Sequence, residues 1–123
     1  MANPNLVNAT TLKGHTVVRQ LDTTTTTGIV TCPSDTIYKI NAIYASNIDG
    51  TTPCDLTVNF FDSDTGGSGT AYAIQSTVTV PPDSVLTVIA KDAPIYLEEA
   101  DEIRAGASAN GDLNLTVSFD EIS

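Results

Sequence analysis

The run IYASNIDGTTPCDLTVNFFD, Ile43 to Asp62, decides the fold. Its first residues end an apolar segment. Asn47-Ile48-Asp49-Gly50 then brings turn chemistry, because Asn, Asp and Gly each favour a chain reversal. Pro53 closes the loop outside any ladder, as a residue without an N–H requires. From Cys54 the pattern restarts with period two. Cys54, Leu56, Val58 and Phe60 point one way, while Asp55, Thr57 and Asn59 point the other, until Phe61 breaks the polar side. The stretch therefore reads as strand, turn and half-buried strand. Nothing in it reads as a nucleophile, a base or a metal-ligand set.

The same grammar extends both ways. Residues 36–46 (TIYKINAIYAS) carry apolar side chains on both faces, which predicts a central strand or one with a bulge. Upstream, 16–21 (TVVRQL) and 28–32 (GIVTC) predict two strands, and the threonine-rich segment 22–28 reads as a hairpin loop between them. Downstream, the polar loop 62–70 leads to a strand over 71–80, and Pro81-Pro82-Asp83-Ser84 stops it. Residues 85–90 (VLTVIA) are continuously apolar and predict a buried strand. A short strand over 94–97 precedes an acidic turn, Glu98-Glu99-Ala100-Asp101. In 102–109, Ile103, Ala105 and Ala107 are in phase and small enough for close sheet packing. Asn110-Gly111 reads as a hairpin turn into 113–119, where Leu113, Leu115, Val117 and Phe119 alternate strictly with polar residues. Eight or nine short strands with no helix between them predict an all-β antiparallel β-sandwich, jelly-roll or immunoglobulin-like. The first 14 residues lack periodicity. The expected organisation is an N-terminal arm over 1–14 and a single sandwich domain over 15–123.

Composition narrows the function classes. With 123 residues, 41% apolar and 16% charged, the chain can bury about two-thirds of its unfolded surface in one core. Fifteen acids against five bases give a net charge of −10. Nucleic acid binding needs phosphate neutralisation, and Lys13, Arg19, Lys39, Lys91 and Arg104 are scattered along the chain. Neither nucleic acid nor an anionic membrane is an expected partner. Met1-Ala-Asn-Pro-Asn carries no basic or apolar leader pattern, so cytoplasmic synthesis is expected. Cys32 and Cys54 are then expected as reduced thiols, with Cys54 a small core residue.

No catalytic constellation emerges. The single histidine, His15, lies beside Gly14 outside the patterned region and reads as exposed or at a strand edge. The acid pairs Asp62/Asp64, Glu98/Glu99 and Asp101/Glu102 fall in predicted turns, where solvation explains them without sugar chemistry. Asp62-Ser63-Asp64-Thr65-Gly66 resembles the opening of a calcium loop, but Gly66 stands where an oxygen ligand belongs and Ala73 occupies position twelve. Asn8-Ala9-Thr10 and Asn114-Leu115-Thr116 match the glycosylation pattern, and with no secretory signal expected they read as chance matches. No catalytic residue, cofactor or metal ligand is assigned.

A likeness runs through residues 28–122. Ile37-Tyr38-Lys39-Ile40-Asn41-Ala42-Ile43 through Ala45-Ser46-Asn47-Ile48-Asp49-Gly50 resembles the "IxSIxxxN-x-DG" strand and turn of small virion proteins of tailed bacteriophages. Val80-Pro81-Pro82-Asp83-Ser84-Val85-Leu86 resembles their "IPaGsxL" step, with Pro82-Asp83 in place of the small residue and glycine. Leu97-Glu98-Glu99-Ala100-Asp101-Glu102-Ile103 resembles their "LxxGDxI" turn, with Ala100 in place of glycine. Val117-Ser118-Phe119-Asp120-Glu121-Ile122 is similar to their terminal "vSxxEI". The resemblance implies a non-enzymatic structural subunit located in the virion. Small size and acidity favour a capsid decoration or cement protein on the head exterior. Neck, tail or fibre-associated proteins are the alternative, as is a glycan-binding module whose loops 22–28, 49–54 and 62–70 would meet at one end. The partners implied are the major capsid protein or other virion proteins, and further copies of the chain as a dimer or trimer. In the arm, Leu6, Val7 and Leu12 are the candidate apolar anchors, and Pro4 limits its entropy.

Overall fold

The computed structural model of the protein describes residues 9–63 and 68–123. Its strands are β1 (Leu12–Gln20), β2 (Gly28–Thr31), β3 (Ile37–Asn47), β4 (Cys54–Ser63), β5 (Gly69–Val80), β6 (Val85–Ile89), β7 (Ile95–Leu97), β8 (Glu102–Ala107) and β9 (Leu113–Ile122). Among the described residues there is no helix. Two antiparallel sheets pack face to face as a β-sandwich. The five-stranded sheet has the order β1-β9-β3-β6, with β7 also on β3; the four-stranded sheet has the order β2-β8-β4-β5.

β6 and β7 are two pieces of one strand. β6 lies along Ile43–Ser46 of β3 and β7 along Tyr38–Ile40, both antiparallel, with residues 90–94 as an excursion between them. Counted together they make a simple pattern: β1 pairs β9, β2 pairs β8, β3 pairs β6 and β7, and β4 pairs β5. The chain is one long ribbon doubled back between β4 and β5. Successive pairs of that ribbon fall on alternate sheets, which is the jelly-roll topology.

This winding corrects two expected hairpins. β1 and β2 lie in different sheets, and so do β8 and β9. The segments 22–27 and 108–112 are corners where the ribbon passes between sheets, and they run side by side. Ala107 N donates to Asp22 O at 2.8 Å, Gly111 N to Leu21 O at 3.1 Å, and Thr23 N to Asn110 Oδ1 at 3.1 Å. Gly111 takes φ +81° to make its corner. Turn residues specify that the chain reverses; they do not specify whether the next strand stays in the same sheet. The threonine corner also folds over the four-stranded sheet. A Cβ on Gly106 would stand 2.7 Å from Thr24 O, so only glycine fits beneath it.

The opening stretch behaves as its pattern requires. Cys54, Leu56 and Val58 are buried, and the interior is completed by Ile40, Ile43, Ile103, Ala105, Leu115 and Val117. Burial of each large side chain stabilises by roughly 1.5–3 kcal/mol. β3 is both central and bulged, with the register shift between Ile40 and Ala42. β6 differs from expectation: it is an edge strand with Val85 62% exposed. Ile43 pairs with Ile89 but Tyr44 with Thr87, so Val88 is a bulge residue and both Val88 and Ile89 reach the core. The bulge, not burial on two faces, accounts for the adjacent apolar pair Val88 and Ile89. β1 begins at Leu12, earlier than periodicity indicates, because only Val17 along it is even half-buried.

Candidate functional site

Charge is sorted by position. The connections β1–β2, β3–β4, β5–β6 and β8–β9 meet at one end of the sandwich, carrying Asp22, Asp49, Asp83 and Asp112. Asp35, Glu98, Glu99 and Asp101 lie at the other end. Between the ends, the outward side of the five-stranded sheet is nearly free of charge. Its rows read Val18–Thr116–Tyr44–Thr87 and Gln20–Asn114–Ser46–Val85, then Thr16–Ser118–Ala42 below. The charges on this side are Lys39 and Asp120, which face each other in the β3–β9 register. On the four-stranded sheet the outward side carries Asp55, Glu102 and Arg104. There Arg104 Nε bonds Glu102 Oε1 at 3.1 Å and its guanidinium sits 3.5 Å above the Phe61 ring.

β1 is the second unusual feature. Among the described residues it is a free edge of nine residues, and it is exposed along nearly its whole length. Lys13, His15 and Arg19 share one side of it, opposite Glu121, Phe119 and Leu115. β2, the neighbouring edge of the other sheet, has only four residues and leaves the start of β1 uncovered. His15 Nε2 therefore meets Glu121 Oε1 at 2.9 Å, and its ring lies 5.3 Å from Phe119, which stacks on Tyr38 at 4.5 Å. Charged residues in the inward phase of an edge strand are a common way to keep it from pairing indiscriminately, and here Lys13 and Arg19 also make the edge attractive to acidic chains. Leu12 is 72% exposed at the start of β1, beside the hydrogen bonds of Thr10 N and Thr11 N to Ser123 O. Pro4, Leu6 and Val7 lie outside the described residues.

The two ends are fastened by buried polar groups. At one, Asn47 Nδ2 donates to Thr52 O and Val80 O at 3.0 Å each, and its Oδ1 accepts from Asp49 N at 2.9 Å. Asp49 Oδ1 accepts from Thr51 N, and these bonds hold its carboxyl below the ordinary range. At the other end, Asp101 is buried and accepts from Ser63 N and Glu98 N at 3.0 Å each. Burial wins over those bonds and, with Asp62 and Glu98 nearby, raises its carboxyl. Cys32 Sγ donates to Thr36 O at 3.1 Å. Its burial pushes the thiol up to about 11, helped by Asp101, Glu99 and Glu121. Tyr38 is raised by burial and then by Glu121 and Cys32. A protonated, buried thiol is a poor nucleophile.

Cys32 and Cys54 are both free and buried, at opposite ends of the four-stranded sheet. The loop segments 22–28 and 49–54 share an end, but β4 and β5 meet at Ser63 and Gly69 on the opposite one. The three loops of the glycan reading therefore do not gather. The calcium reading rests on Asp64, Thr65 and Gly66, outside the described residues. Among the described residues no group of three or more His, Cys, Asp or Glu is placed to hold a metal ion. A hollow of about 10 Å³ between Arg19, Asp22, Thr27 and Ile29 has room for one water.

Four non-glycine residues among the described ones take left-handed backbone, Asp35 at φ +55° and Thr77 at φ +49° being two of them. Asp83 has φ +54° and Ala100 has φ +71°, both left-handed. No family model, no curated protein and no solved structure matches the chain.

Proposed function

We propose that the chain is a non-enzymatic structural protein of a tailed-bacteriophage virion, and within it a decoration or cement protein of the capsid exterior. The observation that carries this reading is the backbone at Asp83 and Ala100. These are the two steps where the virion pattern has glycine and this chain departs from it. Both take the left-handed conformation for which glycine is normally used. Left-handed backbone at these two steps supports the reading, since a glycine at either step would take the same conformation. The jelly roll is an architecture used for capsid and lectin surfaces, and it serves a protein whose task is to occupy a position.

Attachment runs through β1 and the chain leading into it. Leu12 and the arm residues Leu6 and Val7 are the apolar anchors of this reading, and Pro4 limits the arm's entropy. The edge of β1 can accept a strand from the major capsid protein by β-augmentation, and Lys13 and Arg19 favour an acidic one. The acidic ends keep the remainder solvated. Purified particles of the encoding phage test the reading by mass spectrometry and reconstruction. The chain is expected in the particle, on the head, with β1 against the shell. Density at the neck, tail or fibres moves it to the alternative assignment, and absence from particles overturns the proposal.

A further inference from the structure

We infer that two copies of the chain pack through the outward sides of their five-stranded sheets, as a symmetric dimer. This goes beyond the virion reading and does not depend on it. The first argument is charge. Each copy carries −10, with its acids concentrated at the ends of the sandwich. Like-charged bodies repel over about 8–10 Å at ordinary salt. The Val18–Thr116–Tyr44–Thr87 side is where two such bodies can meet without setting acid against acid.

The second argument selects a second copy as the occupant. The two charges on this side, Lys39 and Asp120, are opposite in sign and level with each other on the central strands β3 and β9. A two-fold axis along the strands, midway between β3 and β9, lays each copy's Lys39 over the other's Asp120. The same axis lays Thr116 over Tyr44 and Ser118 over Ala42. A two-fold interface is self-complementary by construction, and this arrangement of charge fits that symmetry.

The third argument is area. Four strands about 4.8 Å apart and nine residues long at about 3.3 Å each cover roughly 550 Å² per copy. Two such sides bury roughly 1,100 Å², which clears the approximately 1,000 Å² of a specific interface. Tyr44, Val18 and Val85 are 39%, 65% and 62% exposed and supply apolar surface within that area.

Sedimentation or light scattering on the full chain, over a series reaching the hundred-micromolar range, tests the inference. The wild type is expected to show dimer mass. Tyr44→Glu, and separately Val18→Glu on the exposed edge strand, should give a folded monomer that melts as the wild type does when diluted into its monomeric range. Ala73→Glu, on the outward side of the four-stranded sheet, should leave the dimer intact. Lys39→Glu should weaken association about tenfold or more, as one lost ion pair per copy allows, and adding Asp120→Lys should restore it. A monomeric wild type, a dimer indifferent to Tyr44→Glu and Val18→Glu, or a double reversal that fails to restore association overturns the inference.

Discussion

Asn47 Nδ2 lies 3.0 Å from the carbonyl oxygen of Val80, and this bond ties the crossing from β3 to β4 to the crossing from β5 to β6. Asn47 is 2% exposed, and its amide also serves Thr52 O and Asp49 N. Asn47→Ala removes a donor and an acceptor from three buried or half-buried backbone groups. We expect it to destabilise by about 2–3 kcal/mol, the cost of stranding such groups. Chemical denaturation checks this, and a loss below about 0.5 kcal/mol would show the clip to be dispensable.

Ala100 and Asp83 stand in left-handed backbone, at φ +71° and +54°. A side chain there costs roughly 1–2 kcal/mol, part of which glycine's greater freedom in the unfolded chain takes back. Ala100→Gly should stabilise by about 0.5–1 kcal/mol and raise the melting temperature by a few degrees. Asp83→Gly should act in the same direction and also remove a carboxylate that stands 3.3 Å from the place of a Cβ on Gly50. Ala100→Val should be destabilising. A lower melting temperature for both glycine variants would contradict the assigned strain.

Asp49 and Asp101 should titrate on opposite sides of the ordinary value of 3.8. Asp49 is lowered, so its contribution to stability is present above pH 3.8 and is lost as pH falls through its folded value. Asp101 is raised, so its contribution is present below pH 3.8 and is lost as pH rises through its folded value. Carboxyl NMR should give Asp101 the higher midpoint, with the Thr51 amide following Asp49 and the Glu98 amide following Asp101. The reverse order would refute both assignments.

Alkaline pH should destabilise the fold through Cys32. Its thiol rises from 9.0 to about 11, so the contribution is present below pH 9 and is lost as pH rises through about 11. A shift of about two units corresponds to about 2–3 kcal/mol. Tyr38 is raised as well and adds to the fall. Cys32→Ala should flatten the stability profile between pH 9 and 11 without abolishing the decline. Slow thiol modification of Cys32 at pH 8 is the companion expectation, and rapid labelling in the folded state would count against it.

The elements were largely visible in the chain, because strands with one buried side leave a period of two. Cys54 to Phe60 and Leu113 to Phe119 announce both their strands and their inward residues. At the start of β1 burial is absent and so is the signal: residues 12–14 join β1 through backbone bonds to β9, and nothing apolar alternates there. Sheet assignment was not legible, since Asn110-Gly111 and the threonine corner specify bends whose partners depend on how the ribbon winds. Lys13, His15 and Arg19 could be read as a stripe, but their place at a free edge depends on the shortness of β2. The meeting of Lys39 with Asp120 belongs to a register between strands distant in sequence, which no local pattern encodes.

The break at residues 90–94 makes the two borders of the five-stranded sheet unequal. At β1 an incoming chain meets an unbroken edge of nine residues, whereas the far border offers five and then three. The broken border cannot meet the unbroken border of another copy in one continuous register, which disfavours edge-to-edge stacking of the sheets. Domains crowded shoulder to shoulder are in this way kept from zipping into fibrils, a hazard that follows long unbroken borders.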